Sequence, residues 1–366
     1  MAQEDANMEC ESFSLLARIS DVTVERHIPF NAMFELTHRC NTRCKHCYQH
    51  HPKRADGELS TEEWCRVMDD LASAGTLYLT LTGGEVLLRK DFFEIARYAR
   101  KKRFALKIYT NGTLITPAVA EKIADLRPFT VEISIYGSNA ETHDAMTQVK
   151  GSFERVIRAV KLLVGLNQRV ILKCPLATSR FGQYEDIMAM AQELGAEYRF
   201  DPTIAPMNDG DRCPTNLRIG VEELMKLYDD ERVFKKKGLP SMGANDKVKM
   251  CDAGRNSLAI NPWGEVYPCV QMLIPCGNVR EKSILEIWYG SRELRHLRAI
   301  TPDDLVQCQT CEVKQYCSRC PGQALLEDGS LTGCQSRART IARIRKRLAE
   351  QGTAHPANST LLRVVA

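Results

Sequence analysis

The sequence predicts an α/β protein, a partial (β/α)6 TIM-like barrel followed by a small cysteine-rich domain. Three observations carry this. From residue 33 to about 205 a short apolar strand, a loop and an amphipathic helix recur six times. The chemically unusual residues of that region gather where the strands end, which is where barrel enzymes keep their chemistry. Beyond residue 250 come eight cysteines, Cys276 and the seven of a spaced series, Cys251, Cys269, Cys308, Cys311, Cys317, Cys320 and Cys334, in a stretch with little room for an apolar core. A chain of 366 residues suits two domains of ordinary size.

The strands read, in order, MFELTH from 33, YLTLTG from 78, LKIYTN from 106, TVEISIYG from 130, RVILKCPL from 169 and EYRFDPTI from 197. Each is rich in β-branched, aromatic and leucine side chains, as parallel strands covered on both faces tend to be. Between them STEEWCRVMDDLASAG opens on a Ser60 to Glu63 capping box. KDFFEIARYARKKR, PAVAEKIADL, SFERVIRAVKLLVG and YEDIMAMAQELG follow, and Gly75, Gly165 and Gly195 stand where helices stop. Alternation of this kind implies a parallel sheet, and six units imply an open barrel rather than the closed eight.

The loop after strand one, FELTHRCNTRCKHCY, spaces Cys40, Cys44 and Cys47 as C-x3-C-x2-C. Three thiolates can hold three irons of a [4Fe-4S] cube and leave the fourth iron open to a small molecule. A zinc site would need a further ligand, for which His38, His46, His50 and His51 are available. Gly83, Gly84 and Glu85 end strand two, Asn111 and Gly112 strand three, and Ser134 with Tyr136 strand four. One Gly-Gly or Asn-Gly pair would read as a turn. Three such sites in strand order behind a three-cysteine loop read as a binding site.

These residues resemble the radical SAM superfamily, whose signature is C-x3-C-x-(aromatic)-C, with His46 here in the aromatic place. The resemblance spans residues 33 to about 205 and implies that the open iron takes the amino and carboxylate groups of S-adenosylmethionine. The reduced cluster then cleaves that molecule to a 5'-deoxyadenosyl radical. It also implies that LTGGEVLLR is the Gly-Gly-Glu segment, with Glu85 receiving the methionine ammonium and Val86 replacing the usual proline. TNGT with Asn111 matches the strand-three segment, Ser134 in ISIYG stands where the family contacts the ribose with Tyr136 a further cofactor-binding candidate, and Lys173 is available for the carboxylate or ribose.

The later cysteines run C-x12-G-x4-C, then C-x2-C-x5-C-x2-C, then Cys334. C-x2-C pairs also suit zinc, but this order, with INPWGEVYPC and GNVREKSILEIW, resembles the SPASM extension, which carries two auxiliary iron-sulfur clusters. By that resemblance Cys251, Cys269 and Cys320 hold the first and Cys308, Cys311, Cys317 and Cys334 the second. The first set is one ligand short, because DAGRNSLAI contains no cysteine, so this cluster is open, takes an oxygen ligand or recruits Cys276. The family's last spacing is x3 where this chain has x2 before Cys320. Cys10, Cys65, Cys174, Cys213 and Cys276 are left over, Cys65 and Cys174 reading as small apolar residues of a helix and a strand.

The domains expected are an N-terminal segment 1–30, a core barrel 31–205, a polar linker 206–250, an auxiliary-cluster domain 251–340, and a basic helix with a disordered tail over 341–366. Lys plus Arg exceed Asp plus Glu by four, so no global field argues for nucleic acid. The basic stretch SRARTIARIRKRLAEQ reads as a solvated helix face, or as a surface for an acidic leader peptide or nucleic acid. With no signal peptide and no 18-residue apolar run the chain reads as cytoplasmic, where fifteen cysteines serve metal clusters better than disulfides. The resemblance implies an enzyme that oxidatively modifies a peptide or protein, as in ribosomal-peptide maturation, with flavodoxin or ferredoxin as electron donor. The thirty residues before the barrel are too few for a leader-binding domain, so recognition of the peptide is expected to come from a separate protein or from the barrel itself. The alternatives are a sulfatase-maturing enzyme, a haem or other cofactor biosynthesis enzyme acting on a tetrapyrrole, and a non-enzymatic metal-binding module. Asp201, Tyr136 and the five leftover cysteines are all candidate substrate bases, and the sequence singles out none of them.

Overall fold

A computed structural model of the chain describes residues 15, 17–49, 56–234 and 251–351. His50, His51, Cys10, the KKKGLPSMGAND stretch and the last fifteen residues lie outside the described residues.

Six parallel strands, β1 (Asn31–Thr37), β2 (Tyr78–Gly83), β3 (Ala105–Thr110), β4 (Thr130–Ser134), β5 (Val170–Pro175) and β6 (Glu197–Asp201), lie side by side in sequence order. Their helices Thr61–Ser73, Phe92–Lys101, Pro117–Leu126, Ser152–Gly165 and Tyr184–Glu193 complete the alternation, giving the partial barrel. Because side chains alternate along a strand, one set, including Phe34, Leu81, Ile108, Ile133 and Leu172, joins helix residues such as Trp64 and Ile95 in the main core. Phe34 and Trp64, both fully buried, stack at 4.5 Å between centroids. Burying each such side chain is worth about 1.5–3 kcal/mol. The other set holds the buried polar residues Glu35, Thr80, Thr82, Lys107 and Glu132. The Ser60–Glu63 capping box forms in both directions, with Glu63 N donating to Ser60 Oγ at 3.2 Å and Ser60 N to Glu63 Oε2 at 2.8 Å.

Several features differ from the sequence reading. Strand four stops at Ser134, and SNAETHDAMT supplies an additional helix, Ala140–Thr147, capped by Asn139. The cysteine-rich segment is not set apart from the barrel. Its β7 (Ser257–Ile260) pairs parallel with β1, Asn31 opposite Ser257 through Phe34 opposite Ile260, and β8 (Glu265–Tyr267) and β9 (Gly277–Asn278) extend one nine-stranded sheet. Strands of four, three and two residues leave no periodicity to read. Within the polar 206–250 stretch, Val221–Asp229 is a helix packed on the C-terminal helix Ser336–Glu350. That basic helix buries Ala338, Ile341, Ala342, Ile344 and Leu348, and its Arg345 guanidinium lies 4.9 Å from the Tyr228 ring centroid. Among the described residues no helix is long and apolar enough to cross a membrane.

Candidate active site

The cysteine loop leaves β1 and is pinned from two sides. Arg43 N donates to Thr147 O at 2.9 Å and Lys45 N to Met146 O at 3.1 Å, so the Ala140–Thr147 helix carries its far side. On the near side Asn41 Nδ2 donates to Thr113 Oγ1 and Asn111 Nδ2 to Asn41 Oδ1, both at 2.8 Å, and Asn111 Nδ2 lies 3.8 Å from Cys40 Sγ. Thr42 Oγ1 sits between Cys40 Sγ at 3.2 Å and Cys44 Sγ at 3.5 Å. Burial pushes the Cys44 thiol up, and the Cys47 thiol to about 12, with Cys40 adding to both. Sulfurs that are buried together and oppose each other's ionisation form the environment that cationic iron relieves, so this donor set fits an iron-sulfur cluster. Among the described residues no three His, Cys, Asp or Glu side chains close on a single metal ion. A cube, giving each thiolate its own iron, asks for a wider set.

Beside the loop, the end of β2 is built for close backbone approach. Gly84 N donates to Thr37 O at 2.7 Å and Glu85 N to Arg39 O at 2.9 Å. A Cβ on Gly83 would stand closer than 3.0 Å to Thr37 O, and one on Gly84 closer than 3.0 Å to Arg39 O; Gly83 also has φ +133°. Only glycine fits either place. Glu85 is fully buried. Its Oε1 accepts from Thr110 Oγ1 at 2.7 Å and Leu87 N at 3.1 Å, and its Oε2 from Asn111 N at 2.7 Å. Burial holds its carboxyl above the usual range. A carboxylate has about four acceptor sites, so this one retains capacity for an ammonium.

Tyr136, two residues beyond the end of β4, packs against the loop. Its ring lies 4.7 Å from that of His46, its backbone N donates to His143 Nδ1 at 3.2 Å, and its hydroxyl neighbours Ser134 and Cys44. Lys173 turns into the barrel, with Nζ 3.4 Å from Glu132 Oε2 and 3.9 Å from the Tyr109 ring centroid. Arg199 Nη1 is 3.7 Å from the same Glu132 oxygen. Asp201 accepts from Thr203 N at 2.7 Å, and burial raises its carboxyl.

The later cysteines fall into two groups. Cys251, Cys269 and Cys320, each half-buried, stand near one another: desolvation pushes Cys251 to about 12 and raises Cys269 and Cys320, and Cys320 adds to the rise of the other two. Cys276 stands apart, its Sγ 3.2 Å from Ile274 O and beside Ser291. Cys308, Cys311, Cys317 and Cys334 line one cavity with Arg319 and Arg339 at its rim. Burial raises Cys308, and Cys317 to about 11. Of the leftover thiols Cys174 is buried in β5, Cys65 half-buried in its helix and Cys213 exposed.

The sequence matches the Radical SAM superfamily over residues 34–193 and the SPASM iron-sulfur cluster-binding domain over 251–321. It is 32% identical to the mycofactocin maturase MftC of Mycolicibacterium smegmatis, over 77% of this chain and 75% of that one. The chain belongs to the radical SAM superfamily. This radical SAM enzyme is also 29% identical to the AdoMet-dependent heme synthase of Methanosarcina barkeri, over 81% of its own length and 92% of the relative's. Its fold is similar to that of Streptococcus suis SuiB bound to the precursor peptide SuiA, with a TM-score of 0.67 at 16% identity, over 88% of this chain and 80% of that one. Iron-sulfur clusters and S-adenosylmethionine are the cofactors of such a radical SAM enzyme with a SPASM domain.

Sequence reasoning did not single out Asn41, Thr42, Thr113 and His143, the residues that tie the radical SAM loop in place. Nor did it find Glu35, whose signal was legible: a carboxylate in the midst of the apolar strand MFELT. Burying a charge there needs a reason.

Proposed function

We propose that this chain is a peptide-modifying maturase. The observation that carries the reading is the likeness to MftC, which extends through both the barrel and the SPASM region. In this reading the cluster at Cys40, Cys44 and Cys47, when bound and reduced, supplies the 5'-deoxyadenosyl radical from S-adenosylmethionine. The Gly83–Gly84 backbone shapes the methionine end of that site, Glu85 takes the ammonium, Asn111 and Ser134 line the nucleoside side, and His46 and Tyr136 close the loop over it. Lys173, drawn toward Glu132, orients the charged wall of the barrel. The two cysteine groups would hold two auxiliary clusters, the first of them open, completed by an oxygen ligand or completed by Cys276. When bound, these clusters would supply an exit for the second electron of a two-electron oxidation of the substrate; a flavodoxin or ferredoxin is the electron donor in this reading, in the cytoplasm, and a separate protein or the barrel itself presents the peptide.

A second reading, action on a tetrapyrrole, is favoured by the likeness to heme synthase. One experiment separates them. Anaerobically reconstituted enzyme with dithionite and S-adenosylmethionine is offered short peptides encoded beside its gene, or iron-bound tetrapyrroles, and products are followed by mass spectrometry. Deoxyadenosine formation coupled to a mass change in a peptide supports the maturase reading; coupling to the tetrapyrrole alone replaces it.

A further inference from the structure

Glu35 on β1 is 3% exposed. Its Oε1 accepts the Tyr48 hydroxyl at 3.1 Å and the Gln49 amide Nε2, and its Oε2 lies 3.1 Å from His38 Nε2. Tyr48 and Gln49 directly follow Cys47, and His38 stands two residues before Cys40. One buried carboxylate therefore gathers donors from both ends of the cysteine loop. The His38 ring in turn meets Trp263, from the turn between β7 and β8, edge-on at 5.0 Å.

Holding a loop does not by itself require a charge, since a glutamine or a backbone carbonyl accepts the same hydrogen bonds at lower desolvation cost. Among the described residues no lysine or arginine pairs with Glu35. It stands against the loop itself: Tyr48 and Gln49, whose side chains donate to Glu35, directly follow Cys47.

We propose that Glu35 is a positioning residue that holds both ends of the cysteine loop and whose buried negative charge keeps the reduction potential of the cluster bound there low. The proposal rests on the reading of Cys40, Cys44 and Cys47 as an iron-sulfur site. An electron added to that cluster increases its negative charge, and a fixed anion in a water-poor interior opposes the addition, because cluster potentials follow net charge and burial. A lower potential makes a stronger reductant for the sulfonium of S-adenosylmethionine.

The test is the midpoint potential of the barrel cluster, followed by electron paramagnetic resonance as the signal that changes when S-adenosylmethionine is added. Glu35→Gln keeps the shape and an oxygen for Tyr48 and Gln49, while its amide can donate to a neutral His38 ring. It is expected to retain wild-type iron and to show a higher potential. Glu35→Asp keeps the charge but withdraws it by one methylene, and is expected to lie between wild type and Glu35→Gln. An iron-loaded Glu35→Gln with an unchanged or lower potential overturns the tuning role. Should Glu35→Gln fail to hold iron, the aspartate variant decides alone: a rise above wild type supports the role, and no rise refutes it. Wild-type protein with no iron after anaerobic reconstitution would remove the cluster reading itself, a different failure.

Discussion

The Glu85 carboxylate accepts the backbone N–H of Asn111 at 2.7 Å, while the Asn111 side chain reaches the cysteine loop, so the ends of β2 and β3 and the Cys40 loop form one hydrogen-bonded unit. A change at any corner of that unit should be felt at the others.

Glu85→Ala is expected to act twice. It leaves the buried Thr110 hydroxyl and Asn111 N–H without their acceptor, each costing about 1–3 kcal/mol, and it removes the partner of the methionine ammonium. A charge-assisted bond of about 1.5–3 kcal/mol corresponds to roughly 10- to 100-fold weaker S-adenosylmethionine binding. Equilibrium dialysis gives the binding and thermal unfolding gives the stability. Lost stability with unchanged affinity would make Glu85 a strut between strands and nothing more.

Gly84→Ala places a methyl group against the Arg39 carbonyl oxygen, which belongs to the backbone and has no flexible end to move. The expected cost is about 1–3 kcal/mol, as for other overpacked sites, together with weakened iron retention, because Arg39 adjoins Cys40. An alanine variant with wild-type unfolding temperature and iron content would show that the loop is not held by this approach.

Changing Cys40, Cys44 and Cys47 together to Ala is expected to remove about four irons from a total of roughly 10 to 12, leaving the auxiliary signals. Iron analysis and resonance spectra check this. Stoichiometric zinc in place of iron in the parent protein would rule out the cluster assignment.

Cys308→Ala with Cys311→Ala opens the cavity that these residues line with Cys317 and Cys334. Deoxyadenosine should still form, because the barrel loop is intact, while modified product should fall to background. Normal product formation by a variant shown folded by circular dichroism would make this cysteine group structural.

The sequence alone was sufficient for the alternating strands, since the face each strand turns to the helices must be apolar at every second residue, and for the cysteine loop, since thiols three and four residues apart share one turn of chain wherever it goes. Gly83, Gly84 and Glu85 were legible for the same local reason: they are adjacent, and their place at a strand end follows from the strand. What needed the tertiary structure was anything decided across long separations. β7 joins β1 through backbone hydrogen bonds that carry no side-chain signature. The company of Cys251, Cys269 and Cys320, and the separation of Cys276, depend on how the segment folds back on itself. Lys173 is drawn to Glu132 because the two stand on neighbouring strands of one concave wall, and Glu35 meets Tyr48 and Gln49 only because the cysteine loop returns over β1. Periodicity and spacing record which face of an element is buried, and only packing decides which buried polar groups find each other.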